Sequence, residues 1–447
     1  MKLFGTDGIR ALVNEENMSP EMGVKFGMAL AAFCQKRKWP AKIVIGRDTR
    51  ESGEMLEEAI ISGVMAMGGE AIVAGVIPTP GLAYLVSEQK AGAGIVISAS
   101  HNPSSYNGLK PIKGDGTKLT DEEEREMEEY ILKGVPKKTG QDYVSGKKEV
   151  LAGAGKIYAD FLLSKIFHDI KKSKMKLVID CANGATFEIA PEIFRKIDEQ
   201  VETLFVDPDG KNINDQCGSQ HTQALREKVL AHGADMGLAF DGDGDRVIVV
   251  DEKGNVLTGD HIIYIIAKMM HEKKELKNDA VVTTIMSNLG FVSSLQKLGI
   301  SHFSTGVGDR QVFFEMQKQG IVLGGEEAGH IIISTIHPAG DGMAAGLMLI
   351  AALDYFQKPL SELAGEVMLY PKILINTEVK SKPDFSTIPE IMEAIKKAEN
   401  KLGEEGRVVV RYSGTENLAR VMIEGKDEAE IKDLAGQIIK IIHDRLN

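Results

Sequence analysis

Residues 94–110 read GIVISASHNPSSYNGLK. An apolar, β-branched run leads without a break into Ser-Ala-Ser-His-Asn-Pro. A run that is apolar at every position, rather than at alternate ones, suits a strand covered on both faces of a parallel-type sheet. The polar cluster at its carboxyl end stands where an α/β sheet holds ligands. The pattern recurs in AKIVIG (41–46), EAIVAGVI (70–77), KLVID (176–180), LFVD (204–207), MGLAF (236–240), VIVVD (247–251), AVVTTI (280–285) and IIIST (331–335). Helical patterns fill the intervals, as over 51–67 and 186–197, and this alternation argues the α/β class.

The C-terminal residues follow another order. ILINTEV is strand-like, and Pro389 opens a helix with Ile391, Ile395, Ala398 and Leu402 on one face. RVVVRYSG and LARVMIEG form a hairpin-like pair, and a last helix aligns Ile431, Leu434, Ile438 and Ile441. This βαββα succession is an α+β module. Boundaries fall in the polar stretch 134–150, near residue 252 and at 366–371, which divides the chain into 1–150, 151–252, 253–368 and 369–447.

The chain has 447 residues, enough for about three domains. Its 53 Lys+Arg stand against 65 Asp+Glu, a net charge of −12, which argues against a nucleic-acid or anionic-membrane surface. One Trp and 6% aromatics leave little for base stacking. Cys34, Cys181 and Cys217 are odd in number and widely spaced, so neither a disulfide framework nor a paired-cysteine metal site is expected. The segment MKLFGTDGIR carries no signal-peptide apolar core, and apolar runs such as 344–353 reach about half a membrane span. A reducing, cytoplasmic home is the expectation.

Four polar segments at strand ends can carry chemistry. Ser100, beside His101, suits a nucleophile or phosphate carrier, with Asn107-Gly108 read as a turn delivering Lys110. A serine capping a helix is the plainer alternative, and the absence of G-x-S-x-G argues against a hydrolase elbow. In AFDGDGDRVIVVDE (239–252), Asp241, Asp243 and Asp245 alternate with glycines after a strand. Carboxylates so close repel unless a cation lies between them, and Mg²⁺ is the natural hard-oxygen guest. An EF-hand is disfavoured, because its turn glycine would fall at Arg246; a solvated acidic loop is the other alternative. In VLGGEEAGHIII (322–333), a Gly-Gly turn would present Glu326, Glu327 and His330, either to sugar hydroxyls or simply as a polar hairpin loop. In VVVRYSGTENLARVMIEG (408–425), Arg411, Ser413, Gly414 and Thr415 offer a guanidinium, hydroxyls and backbone N–H groups to a phosphate, or form a structural turn. Arg10 adds a further candidate phosphate contact, while Arg47 is equally readable as a structural ion pair.

FGTDGIR, GRDTR, SASHNP, DGDGDR, GEEAGH and RYSGTENLAR occur in the order that marks the α-D-phosphohexomutase superfamily, and the chain resembles it nearly end to end. GVIPTPGLAYL (75–85), NINDQCGSQH (212–221), MSNLG (286–290) and VGDRQVFFEM (307–316) resemble its bacterial phosphoglucosamine mutase branch. The resemblance implies three mixed-sheet α/β domains and a C-terminal α+β domain around a central cleft. In that order they carry the phosphoserine, the metal loop, the sugar-binding loop and the phosphate-binding loop. It implies that Ser100 is phosphorylated and joins Asp241, Asp243 and Asp245 on Mg²⁺. Lys110, Arg10 and Arg246, with His101, would surround the transferring phosphoryl group. Glu326, Glu327 and His330 would bind sugar; Arg411, Ser413, Gly414 and Thr415 would bind phosphate. The implied reaction interconverts glucosamine 6-phosphate and glucosamine 1-phosphate through a 1,6-bisphosphate. Glucosamine or glucose 1,6-bisphosphate serves as activator, and the product feeds UDP-N-acetylglucosamine and cell-wall synthesis. The alternative is the same chemistry on glucose or mannose phosphates. A hexosamine phosphate is then the partner, with neither nucleic acid nor membrane, and a homodimer is left open. The chain departs from the branch pattern at Glu327-Ala328, where Gln-Ser is usual, at Tyr412, where Pro is usual, and at Asn417, again for Pro.

Overall fold

The computed structural model describes residues 3–5, 7–135, 140, 143–170, 175–197, 201–413 and 417–447. They form two compact units, Met1–Met286 with Gly299–Gly365, and Ser287–Leu298 with Glu366–Asn447.

The larger unit holds three mixed sheets. The first contains β1 (Ile9–Leu12), β2 (Lys42–Arg47), β3 (Glu70–Val76), β4 (Ala93–Ile97), β5 (Tyr106–Lys113) and β6 (Lys147–Val150), in the order β1-β5-β4-β2-β3-β6. The second contains β7 (Leu177–Asp180), β8 (Glu202–Leu204), β9 (Met236–Phe240), β10 (Val247–Asp251) and β11 (Val256–Leu257), ordered β11-β10-β9-β7-β8. The third contains β12 (Ala280–Thr284), β13 (Ser301–Thr305), β14 (Leu323–Gly325) and β15 (Ile331–Ile333), ordered β13-β12-β14-β15. One topology runs through all three. β3-β2-β4, β8-β7-β9 and β13-β12-β14 are parallel, and β5, β10 and β15 then pair antiparallel to the last strand of each set. β4, β7, β9, β10 and β12 are buried at every residue, as their unbroken apolar runs predict.

The structure corrects four local expectations. Asn107-Gly108 is no turn but lies inside β5. Gly324-Gly325 lies inside β14, and the turn follows at 326–329. The strand expected at 204–207 is β8, ending at Leu204, because Phe205 turns left-handed at φ 52°. The polar stretch 134–150 ends in a strand, β6, on the edge of the first sheet.

In the smaller unit, β16 (Lys372–Glu378), β17 (Gly406–Tyr412) and β18 (Leu418–Gly425) make an antiparallel sheet ordered β16-β18-β17. The helices Pro389–Leu402 and Glu428–Leu446 share its core through Ile391, Ala398, Leu434 and Ile438, in the βαββα order read from sequence. The helix Leu289–Lys297 joins this unit: the Leu289 amide donates to Glu424 Oε1 at 2.9 Å, and Asn288 Nδ2 to Tyr370 O at 2.9 Å. Among the described residues no helix is long and apolar enough to cross a membrane.

The helices Pro20–Lys36 and Ser52–Ala66, which flank the first sheet, touch through glycine. A Cβ on Gly27 would lie 2.2 Å from Ile60 O. Helix propensity favours Ala over Gly by about 1 kcal/mol, whereas overpacking costs about 1–3 kcal/mol. Gly27→Ala is therefore expected to lower the melting temperature; a rise would mean that propensity outweighs packing here.

Candidate active site

Three of the four polar segments meet in the larger unit because each is the loop between a parallel strand and its antiparallel neighbour: 98–105 after β4, 241–246 after β9, and 326–330 after β14. Ser100 begins no helix, so the capping alternative falls. It is buried at φ 51°, and its hydroxyl donates to Asp241 Oδ2 at 2.5 Å. His101 Nδ1 lies 3.3 Å from Ser100 Oγ and 3.1 Å from Arg246 NH1. Burial, then Arg246 and Arg10, push its pKa down to about 4. At neutral pH the ring is thus uncharged, with Nδ1 placed to accept from Arg246. Arg10 NH1 donates to Asn102 Oδ1 at 2.8 Å in the same loop. Arg47 pairs with Glu54 and Glu57, the structural alternative.

Asp241, Asp243 and Asp245 are buried, with ligand oxygens all within 4.8 Å of one another. Asp241 Oδ1 accepts from the Arg246 amide at 3.2 Å. Asp243 Oδ2 accepts from Thr79 Oγ1 at 2.6 Å and Lys110 Nζ at 2.8 Å. Asp243 Oδ1 and Asp245 Oδ1 are buried with no hydrogen-bond partner among the described residues. Uncompensated buried carboxylate oxygens are costly, and all the donors are hard oxygens. The triad therefore fits a hard divalent cation. Glu252, the last position of the EF-hand alternative, instead accepts from the Ser361 amide at 3.1 Å.

Ion pairs lead away from two members of the triad and meet. Asp243 pairs with Lys110, Lys110 with Asp7 (2.8 Å), Asp7 with Lys118 (2.6 Å), Lys118 with Asp309, Asp309 with His330 (3.4 Å), and His330 with Asp245 (3.5 Å). Signs alternate along this chain. Burial opposes the charge of each group, but the neighbours outweigh it. Asp7 is lowered by Lys110 and Lys118, Lys110 is raised by Asp243 and Asp7, and Asp245 is held well below the carboxylate range, chiefly by His330. His330 is raised to about 9 by Asp309 and Asp245. Asp241 goes the other way, because burial and the charges of Asp245 and Asp243 all raise it.

Glu326 Oε1 accepts from the Gly308 amide at 3.1 Å, and Glu327 O from the Gly259 amide at 2.9 Å. His330, expected on a sugar loop, points both ring nitrogens at carboxylates. In the smaller unit Arg411 stands directly across from Arg420. Burial, then Arg420, lower the Arg411 pKa. Ser413 Oγ accepts from Arg420 NH2 at 3.4 Å, and Ser413 O from Lys382 Nζ at 2.9 Å. Like charges directly opposite destabilise a ladder, so this pair suits an anion. Tyr412, the departure from proline, stacks on Phe385 with ring centroids 4.1 Å apart and donates to Pro383 O at 2.7 Å. Gly414 and Thr415 lie outside the described residues. Sequence reasoning overlooked Asp7, Thr79, Lys118, Asp309 and Arg420; of these, all but Lys118 stand inside motifs it had quoted.

The chain matches the phosphoglucomutase/phosphomannomutase family over alpha/beta/alpha domain I at residues 1–137, domain II at 156–254, domain III at 258–370 and the C-terminal domain at 374–441. It is 48% identical to a phosphoglucosamine mutase of Syntrophus aciditrophicus, covering 100% of this chain and 99% of that one. In fold it is similar to a phosphoglucomutase/phosphomannomutase family protein of Burkholderia thailandensis, with a TM-score of 0.82 at 21% identity, covering 100% and 98% of the two chains. It is also similar in fold to the N-acetylphosphoglucosamine mutase of Aspergillus fumigatus solved with GlcNAc-6P and magnesium, with a TM-score of 0.71 at 16% identity, covering 100% and 96%.

The His330 environment has a pH signature. Its folded pKa stands above the ordinary 6.5, so the stability it confers is full below about 6.5 and is lost as pH rises through about 9. In metal-free protein, the melting temperature is expected to fall over that window, and His330→Gln to flatten the fall. Parallel curves for the two proteins would show that the imidazole is not charged in the fold.

Proposed function

The chain belongs to the phosphoglucomutase/phosphomannomutase family, and on that footing we propose that it is a phosphoglucosamine mutase, interconverting glucosamine 6-phosphate and glucosamine 1-phosphate. The observation that carries the chemistry is the Ser100 hydroxyl, 2.5 Å from one carboxylate of a buried triad in which Asp243 Oδ1 and Asp245 Oδ1 have no hydrogen-bond partner among the described residues. The full-length 48% identity to a phosphoglucosamine mutase supports the amino sugar.

Phospho-Ser100 gives its phosphoryl group to the sugar O1: the Oγ–P bond breaks, the O1–P bond forms, and the proton lost by the sugar hydroxyl is balanced by the one Ser100 Oγ regains. The freed hydroxyl rests on Asp241 Oδ2. The 1,6-bisphosphate then turns, and its O6 phosphoryl group returns to Ser100. Such transfers depend on positioning and charge neutralisation. Lys110 and Arg246 remain cationic, since neighbouring carboxylates raise both pKa values against the cost of burial. Mg²⁺ held by Asp241, Asp243, Asp245 and a phosphoserine oxygen would supply further positive charge at the phosphoryl oxygens. His101 and Arg10 steady the serine loop. Glu326 and Glu327 serve the sugar, with His330 of the same loop tied to Asp245 and Asp309; Arg411 and Ser413, with Arg420, take a phosphate, and Gly414 and Thr415 are further phosphate contacts. A 1,6-bisphosphate primes Ser100. The modules 1–150, 151–252, 253–368 and 369–447 carry these parts in turn, and three free buried cysteines support a cytoplasmic setting.

With catalytic 1,6-bisphosphate present, kcat/KM is expected to be highest for glucosamine 6-phosphate among the glucosamine, glucose and mannose 6-phosphates. Ser100→Ala should lower turnover by orders of magnitude without lowering the melting temperature. A preference for glucose or mannose phosphate would reassign the substrate, and a fully active Ser100→Ala would end the phosphoserine mechanism.

Glu327 replaces a neutral glutamine of the branch pattern. A charged hydrogen bond contributes about 1.5–3 kcal/mol against ~0.5–1.5 for a neutral one. Glu327→Gln should therefore lower kcat/KM for glucosamine 6-phosphate several-fold and spare glucose 6-phosphate. Equal effects on both sugars would mean that Glu327 reads a shared hydroxyl.

A further inference from the structure

Two side chains far apart in sequence grip the same two carbonyl oxygens beside the reactive serine. Arg50 NH2 donates to Ser100 O at 3.0 Å and to Asn102 O at 2.8 Å. Asn214 Nδ2 donates to the same two oxygens, at 2.8 and 3.1 Å. Arg50 is 0% exposed, and its remaining donors are also taken: Nε by Asp48 Oδ2 at 2.9 Å, NH1 by Tyr106 O at 3.0 Å and by Pro103 O. Asp48 Oδ2 also accepts from Ser98 Oγ at 2.6 Å, and Ser98 Oγ accepts from the Ser100 amide at 2.9 Å. The Ser100 peptide is thus held at both its N–H and its C=O, while its hydroxyl is left to Asp241. A Cβ on Gly242, inside the metal loop, would come within 2.6 Å of Ser100 O and 2.9 Å of Asn214 Nδ2, so the two loops are packed on this grip.

Restraint is needed here. A non-glycine residue in the left-handed region is strained, and Ser100 holds φ 51° only because its surroundings over-determine it. Asn214 is itself left-handed at φ 58°. Phosphorylation would set roughly 1.5–2 further negative charges beside three carboxylates, a repulsion that acts to drive the serine out of its place.

We propose that Arg50 and Asn214 are positioning residues that fix the Ser100 peptide, keeping Oγ aimed at the Asp241 carboxylate both as a free hydroxyl and as a phosphate ester. Their hold falls on main-chain oxygens, which do not change when the phosphoryl group comes and goes. A planar guanidinium suits Arg50 where lysine does not, because five acceptors surround it in a fixed fork. The proposal rests on the mutase reading above.

Asn214→Asp keeps the shape of the side chain and the tolerance for positive φ but removes the N–H donors. It is expected to lower kcat about 10²-fold, the scale of a small misplacement of reacting groups, with KM and melting temperature close to wild type. Arg50→Lys should act in the same direction. Amide hydrogen exchange supplies a readout independent of turnover. The amides of Ser100, Asn102 and Tyr106, hydrogen-bonded within the loop, should exchange faster in Asn214→Asp. Wild-type kcat in that variant, or unchanged exchange at those amides, would overturn the proposal. So would kcat and melting temperature falling together in both variants, the mark of a merely structural contact. A wild-type protein inactive on all three sugar phosphates would overturn the mutase reading instead, and exchange would still decide the grip.

Discussion

Carboxylates repel more strongly as water is withdrawn: unit charges 4 Å apart interact by about 4 kcal/mol at an effective dielectric constant of 20. Asp241, Asp243 and Asp245 are buried with ligand oxygens within 4.8 Å of one another, and the larger unit is arranged around compensating that repulsion. Lys110 and His330 each neutralise one member of the triad and are themselves neutralised by Asp7 and Asp309, with Lys118 between. Four carboxylates and three cations alternate along that path, so each cation stands between two carboxylates. Removing one partner from a buried pair leaves the other uncompensated. The path draws Asp7, Lys110 and Lys118 from the first sheet's segment, the aspartate loop from the second, and Asp309 and His330 from the third. Electrostatics and tertiary assembly are therefore one problem here, solved once.

The repeated topology explains how three separate sheets can deliver such a cluster. Each ends its parallel set with a strand whose exit turns back into an antiparallel neighbour, and each exit carries a polar loop. An antiparallel return is short, so the loop is held at both ends by a strand and has little freedom to wander. The Arg246–His330 backbone bridge and the Gly342 amide on Gly244 O at 3.1 Å tie second- and third-sheet segments directly.

Much of this was legible in the sequence. Strands buried on both faces announce themselves by composition, and the aspartate triplet states its chemistry in five residues. The strands that escaped notice carry residues chosen for something else. β5 reads YNGLKPIK, with glycine, asparagine and proline that ordinarily mark turns. Gly108 is there because a Cβ would lie 2.3 Å from Ser98 O, and Lys110 because it serves Asp243. In β14, a Cβ on Gly324 would meet Val282 O at 2.7 Å. Glycine in these strands marks close packing rather than reversal. β13 is half-exposed and lacks an apolar run. In the site, residues that act locally could be read, whereas Lys118, Arg50 and Asn214 find their partners through the fold. Asn214 reaches Ser100 across 114 positions, and a single sequence holds no record of that pairing.

The helix Leu289–Lys297 has a consequence for how the polypeptide is made. It leaves the ribosome well before the sheet it belongs to, since the Leu289 amide awaits a carboxylate 135 residues further on. At translation speeds of 5–20 residues per second that wait lasts roughly 7–27 s. Through that interval the helix, whose Phe291 and Leu295 are buried in the finished protein, lacks the rest of the unit it belongs to. Nascent chains held at that stage would present a sticky helix to chaperones. The smaller unit thus closes only after β18 has emerged, well behind the helix that belongs to it.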